Sequence, residues 1–434
     1  MFLLTNIKYK IKFIIVFISL YFNINIKTKL FINKYNNNIS INHIDKNDNF
    51  NKINISELIN KLNSDIQFRV PKYILLFDFF YNKYCTDLNS YIIFQYYLHH
   101  NKTEAYYIIN NESNLYNSLL KNNKTQNIIP INPIENYWNK LYYFILNSKI
   151  IVQSYFLIDF IKIINQVSYL KYLKINHGIR YFKRFLGKYE FNSINITKYN
   201  TIISSPYEYN IFKKYFKLKT KNVYKAGLPR YDRFKKIKKN KYERKCILIA
   251  FTYRSYNNEV YENSLFKKNL EKLLSNTNLI NFLKTKNIDL IYIPHHYDTL
   301  RNRTFNFKNF PYIQYKKQEN LEYYIGQCSL CITDFSSVSF DFMFQNKPVL
   351  FYFIDKNDKK EFFEKKCMKY GLNEKIYFGN AFNKQKNLIE KIKYFINNNF
   401  KIGRNLKKKY DSIFYYRYNI TERIVNIIED IIQK

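Results

Sequence analysis

Glycine is scarce in this chain: seven residues in 434, none of them before Gly178. Tight turns that need a permissive backbone are therefore confined to the later part, where phosphate-binding loops are expected. Acidic side chains are also few, 33 against 71 Lys and Arg, which leaves a formal net charge of +38. That field favours polyanions, anionic headgroups and phosphorylated substrates, most strongly at low salt. Nucleic acid is nevertheless a poor candidate for the main partner. The chain has no zinc-finger spacing, no RNP-like aromatic motif and no Gly/Arg-rich tract, and its lysines are spread along its length. Abundant Lys, Asn, Ile, Tyr and Phe beside little Ala and Gly is the signature of A+T-rich codons, so much of the lysine excess reads as solvated surface. An apolar fraction of 47% excludes a largely disordered protein.

Cysteine is rare as well, with five residues and one close pair, Cys328-x-x-Cys331. A zinc site would need a second pair, and a thioredoxin-like centre would place the pair at a helix start. Buried reduced thiols remain. No long hydrophobic run exists: Phe13 to Phe22, preceded by Lys8, Lys10 and Lys12, has too few residues to span a bilayer. Asn23, Asn25 and Lys27 follow it instead of a small-residue cleavage site, which argues against a signal peptide. A membrane-surface anchor, a misassigned start and a helix of the fold all fit the run.

Residues 33–66, rich in Asn, read as a linker, so 1–66 is an N-terminal extension. Beyond it, strand-like runs alternate with amphipathic segments. Tyr73–Phe79, Glu104–Ile109, Ile150–Gln153, Leu173–Asn176 and Thr201–Ser204 predict strands, with helices over Asn89–His99 and from Pro206. A second series begins after Gly227. Cys246–Phe251, Leu290–Pro294, Leu330–Thr333 and Val349–Phe353 predict strands; 264–285, 338–346, 383–398 and Ile420–Ile432 predict helices. This rhythm implies parallel sheets layered by helices. The expected architecture is α/β, two Rossmann-like domains facing across a cleft, with boundaries at 67–226 and 227–434. No internal repeat is evident.

In such sheets ligands sit beyond the carboxyl ends of the strands. Four polar groups share that position: Asn176-His177-Gly178, Thr252-Tyr253-Arg254, His295-His296 and Asp334 to Ser337. The last is the most informative. Leu330–Thr333 ends at Asp334, and Ser336 and Ser337 open a helical pattern that Lys347-Pro348 stops before the next strand. Free amides and two hydroxyls at a helix start make a seat for a phosphate or pyrophosphate. An ordinary N-capped helix reads almost as well from spacing alone.

TDFSSVSFDF followed by KPVLFYFID resembles the signature of the CDP-glycerol glycerophosphotransferase family, with Phe335 where that family usually has Tyr. Asn176-His177-Gly178 is similar to its WHG segment with Asn for Trp. Gly227-Leu228-Pro229-Arg230-Tyr231-Asp232 is similar to its G-x-PRND turn, and Ala250 to Arg254 to its AP-T-x-R strand end. Pro294-His295-His296 falls where a histidine-bearing strand end is expected, so roughly residues 75–400 are covered. The resemblance implies a glycosyltransferase-B-like fold with the CDP donor on the later domain. It implies transfer of glycerol phosphate, or a related alditol phosphate, to a hydroxyl of a lipid-linked or growing cell-surface polymer, with CMP released. Such an enzyme would sit at the cytoplasmic face of the cell membrane, bound peripherally to its anionic surface.

The residues then take expected roles. His177 is the candidate general base, since imidazole titrates near neutrality and Gly178 allows close approach. One of His295 and His296, with His295 favoured, is expected at the donor phosphates, because successive residues point to opposite faces. Ser336 and Ser337 hold the β-phosphate, Asp334 orients the turn, the donor's hydroxyls or a bound cation, and Arg254 matches two phosphate oxygens. Arg230 and Asp232 pair within a turn that is either a rigid linker or part of the substrate site. Asp341 suits the first turns of its helix. No cofactor is expected to be tightly bound; a lone Asp334 is not a metal cage, and a loosely held Mg²⁺ arriving with substrate is compatible with it. Two other functions fit less of the pattern: a nucleotide-sugar glycosyltransferase of capsule or lipopolysaccharide synthesis, and a non-catalytic polyanion- or membrane-binding protein.

Overall fold

A computed structural model of the chain describes residues 71–78, 88–100, 104–132, 141, 144–145, 147–154, 164, 167, 169–179, 199–216, 220–236, 244–254, 258–301, 303, 309–355 and 380–434. The Phe13–Phe22 run and the 33–66 linker lie outside them. Among the described residues no helix is long and apolar enough to cross a membrane.

Two fully parallel sheets form the frame. The first holds β1 (Tyr73–Phe77), β2 (Ala105–Asn110), β3 (Ile128–Ile131), β4 (Ser148–Gln153), β5 (Lys171–Lys174), β6 (Tyr199–Ile203) and β7 (Val223–Lys225). Their spatial order is β3-β2-β1-β4-β5-β6-β7. The second holds β8 (Lys245–Ile249), β9 (Ile288–Tyr292), β10 (Ile313–Tyr315), β11 (Leu330–Thr333), β12 (Val349–Tyr352) and β13 (Ala381–Phe382). Its order is β10-β9-β8-β11-β12-β13. Both orders reverse once, between β1 and β4 and between β8 and β11, and loops on either side of a reversal diverge to leave a crevice.

The strands are apolar on both faces because both are covered. Alternate residues of β8 show the division: Cys246 and Leu248 join one hydrophobic cluster, Ile247 and Ile249 the other. The first cluster runs without a break from β1 through β8 and β11 to the end of the chain. Cys246, Cys328 and Cys331 are buried in this layer and not bridged.

The last helix, Ile420–Gln433, carries Ile420, Ile424, Ile428 and Ile431 along one stripe, and all four are buried. That stripe packs against the Asn89–His100 helix, β4 and β5, so the later unit of sequence returns to complete the earlier sheet. Tyr97 donates to Glu429 at 2.9 Å, and Lys171 donates to the carbonyls of Ile431 and Ile432, whose end of the helix carries negative partial charge. Gly227 permits this return, because a Cβ there would lie 2.9 Å from Cδ1 of Ile420.

Candidate active site at the contact between the two sheets

The reversal point of the second sheet is closed by one carboxylate. Asp334, fully buried, follows β11; its Oδ1 accepts the amides of Thr252 (2.8 Å) and Phe335 (2.6 Å). Its Oδ2 accepts from Arg254 at 2.7 Å. A single side chain thus ties the loop after β8 to the loop after β11. Asp334 thereby holds the turn. Arg254 is enclosed at the same point. Its side chain is 8% exposed, its Nη1 also donates to the Thr252 carbonyl, and its guanidinium lies 4.3 Å from the Phe266 ring centroid. Burial and pairing make it a brace for the turn.

Ser336 and Ser337 are half-buried just beyond this brace. Among the described residues their amides donate to no protein acceptor, while the Ser336 carbonyl accepts from Ser339 Oγ at 2.7 Å. The helix that follows is short, Val338–Phe344, so the polar seat is the turn and not the dipole of a long helix.

The first sheet supplies the facing wall. β5 ends at Lys174, and Asn176, His177 and Gly178 follow it. Asn176 is buried, and its Nδ2 donates to the Ile202 carbonyl at 3.2 Å. Gly178 presses on the serine turn: a Cβ there would lie 2.8 Å from Ser337 Oγ and 2.9 Å from Ser337 Cβ. His177, half-buried, stands immediately before this contact.

Arg230 joins the two walls. Its Nη1 donates to the His177 carbonyl, and its Nε and Nη2 donate to Asp341 at 2.8–3.1 Å. The expected Arg230–Asp232 pair does not form. Gly227 to Asp232 is not a free turn; Arg230 opens the Arg230–Lys236 helix, and residues two apart on a helix point in different directions. Asp232 instead accepts from the amide (2.7 Å) and hydroxyl (2.9 Å) of Thr421, capping the returning helix. Asp341 is more than a carboxylate suited to a helix start. It is buried, and loss of water raises its pKa to about 6 while the Arg230 charge opposes the rise.

Asn89 is a participant that the sequence does not announce. Its side chain donates to the Asn176 carbonyl at 3.3 Å and accepts the Arg230 amide at 3.2 Å. Asp78, beyond β1, holds Asn89 in place by accepting the amides of Ser90 and Tyr91 at the start of that helix. An Asn at a helix start reads as a local cap, so sequence carries no sign of this longer reach.

His295 sits at the N-cap of the His296–Leu300 helix, where its Nδ1 accepts the Tyr297 amide at 3.3 Å. That bond leaves the proton of a neutral ring on Nε2, a donor suited to a phosphate oxygen. Tyr253 and Tyr297 pack on its ring at centroid distances of 5.6 Å. The side chain of His296 lies outside the described residues.

The family model for CDP-Glycerol:Poly(glycerophosphate) glycerophosphotransferase matches residues 63–430. The chain belongs to this family. Two relatives come from Bacillus subtilis (strain 168). The minor teichoic acid biosynthesis protein GgaB is 27% identical over 274 residues, 59% of this chain and 29% of GgaB. The teichoic acid glycerol-phosphate primase is 27% identical over 237 residues, 50% of this chain and 58% of the primase. The chain therefore spans less than two thirds of the length of either relative. Among solved structures, the wall teichoic acid polymerase TagF has a TM-score of 0.60 at 16% identity, covering 87% of this chain and 94% of TagF. The UDP complex of S. aureus MnaA has a TM-score of 0.53 at 13% identity, covering 84% and 97%. At these identities the likeness is one of fold, and the fold is glycosyltransferase-B-like.

Proposed function

We propose that this glycerophosphotransferase-family chain moves glycerol phosphate, or a related alditol phosphate, from a CDP-linked donor to a hydroxyl of a growing cell-surface polymer. The observation that carries the reading is the contact of the His177-Gly178 loop with Ser337, locked by Arg230 between the His177 carbonyl and Asp341. The loop that carries His177 thus meets the turn that carries two amides and two hydroxyls, which supports His177 as the base.

The acceptor oxygen attacks the β-phosphorus of the donor while His177 takes its proton. The bond from that phosphorus to the bridging oxygen breaks, and CMP departs with the electron pair. CMP is a good leaving group, so no strong acid is required. Amides and hydroxyls at Ser336–Ser337, with His295 Nε2–H, hold the non-bridging oxygens as charge shifts onto the leaving phosphate. Positioning and fixed dipoles are the main levers in phosphoryl transfer.

The cytoplasmic membrane face is the proposed workplace, with a lipid-linked acceptor. The Arg404–Asp411 helix supports this, since Arg404, Lys407, Lys408 and Lys409 are exposed on it beside Lys401. Each such cation near an anionic leaflet contributes about 1 kcal/mol.

The test is a donor screen. Purified protein is incubated with CDP-glycerol, CDP-ribitol and several UDP- and GDP-hexoses in the presence of lipid acceptors. CMP release is expected with a CDP-alditol; release of UDP or GDP without CMP would replace the proposal with a sugar transferase.

A further inference from the structure

A polar cavity of about 510 Å³ lies at the other end of the later sheet from the serine turn. Its lining includes Lys245 at the first residue of β8, Ser329 just before β11, and Lys347 just before β12. The donor turn follows the carboxyl ends of the same strands. From Ser329 to Asp334 is five residues, about 16 Å at the rise of a strand. The cavity is thus separate from the centre described above.

Its chemistry is one-sided. Among the described residues that line it are three lysines, Lys235, Lys245 and Lys347, and no carboxylate. Lys347 is held by the carbonyls of Ile325 and Gly326 at 2.7 and 2.6 Å, which fixes its charge at the wall. Loss of water lowers the Lys235 pKa, with the Arg417 charge adding to that and Asp232 opposing it. An arriving anion would oppose that lowering by favouring the charged ammonium.

The remaining lining adds apolar surface to these charges. Phe344 and Phe400 supply apolar edges. A bare inorganic anion would leave those edges uncovered.

We infer that this cavity binds a polyol phosphate ester, with the phosphate among the lysines and its carbon stem against Phe344 and Phe400. This rests on the proposed glycerophosphotransferase reading for one point only, that the ester would be a repeat unit of the product. Held there, a distal unit would keep a long chain on the enzyme between transfers. The same chemistry is offered by the phosphoglycerol headgroup of a lipid.

The test uses the full chain and a synthetic oligo(glycerol phosphate), with CMP present in excess to occupy the donor seat. Lys235→Glu/Lys245→Glu changes two exposed residues, so the fold is expected to persist. The double variant is expected to lose oligomer affinity by about tenfold or more, while CMP release on transfer to a one-unit acceptor stays at the parent rate. Unchanged oligomer affinity overturns the inference, as does competition by inorganic phosphate equal to that by glycerol 3-phosphate. Vesicles of phosphatidylglycerol in phosphatidylcholine form a parallel arm; variant-sensitive binding there alone assigns the site to the headgroup. Oligomer binding that depends on the lysines, in protein that releases no CMP from CDP-glycerol, would overturn the proposed reaction and leave this site standing.

Discussion

Gly178 and Ser337, on loops from different sheets, meet so closely that a methyl group on the glycine would overlap the serine Cβ at 2.9 Å. The serine hydroxyl can rotate away; its Cβ cannot. Gly178→Ala must therefore part the loops by a few tenths of an ångström or more, at the place where base and donor have to align. Displacements of about 1 Å can reduce turnover by about 100-fold. The expected result is a folded protein whose transfer rate falls by about tenfold or more. Ser337→Gly removes the obstructing atom, so Gly178→Ala/Ser337→Gly should recover much of the loss. Rates measured around this cycle decide it, and a merely additive double variant contradicts the contact argument.

His177→Ala removes the proposed base without touching the carbonyl that Arg230 grips. Circular dichroism should be unchanged while transfer falls by about 10²–10⁴-fold. Near-parent turnover would remove His177 from the mechanism. His177→Asn should be equally slow, because an amide fills the space but takes no proton.

The turn serines carry a separate expectation. Ser336→Ala and Ser337→Ala each delete one hydroxyl and keep the amide, so donor binding should weaken by a modest factor of about three to tenfold, roughly 1 kcal/mol. Equilibrium dialysis with CDP-glycerol reads this directly. If both variants bind as tightly as the parent, the hydroxyls do not face the donor.

Much of this arrangement is legible in the chain before any coordinate is known. The strands of the inner sheets announce themselves because both faces are buried, which makes Ile74–Phe77 or Leu330–Thr333 continuous apolar runs. A polar residue directly after such a run is conspicuous, and that is how His177, His295 and Asp334 stand out. Short edge strands such as Val223–Lys225 and Ile313–Tyr315 leave too little pattern to detect. Partners distant in sequence are hidden for another reason. Arg230 and Asp341 are 111 residues apart, and each has a sufficient local explanation, Arg230 beside Asp232 and Asp341 in a helix's first turn. Only the fold shows that the two residues pair with each other. The buried reach of Asn89 and the brace between Arg254 and Asp334 belong to the same class.

The Arg230–Asp341 pair makes stability depend on pH with a definite sign. Burial raises the Asp341 pKa from 3.8 to about 6, so between these values the folded protein holds a proton that the unfolded chain has released. Stability from this group is full below about 4 and is lost as pH rises through about 6. Arg230→Met removes the charge that opposes the rise and leaves an uncompensated carboxylate. The variant should be about 3 kcal/mol less stable than the parent at pH 8. That gap should narrow at pH 5, where Asp341 can protonate. Urea unfolding at the two pH values measures the gap, and a gap that widens in acid contradicts the assignment.

The Asp334–Arg254 brace should fail differently. Asp334→Asn can still accept the amides of Thr252 and Phe335 through its remaining oxygen. Its NH₂ group would face the Arg254 guanidinium, setting donor against donor where 2.7 Å now separates opposite charges. The buried cation is then unpaired, at a cost of about 3 kcal/mol, which lowers the midpoint of thermal unfolding by roughly 6–12 °C. Arg254→Met in the same chain removes the stranded charge and keeps a stem for Phe266 to pack on. The double variant should therefore melt above Asp334→Asn alone. If Arg254 instead points at donor phosphate, Asp334→Asn would leave the melting point unchanged and alter only donor affinity. Thermal unfolding with and without CDP-glycerol separates the two roles.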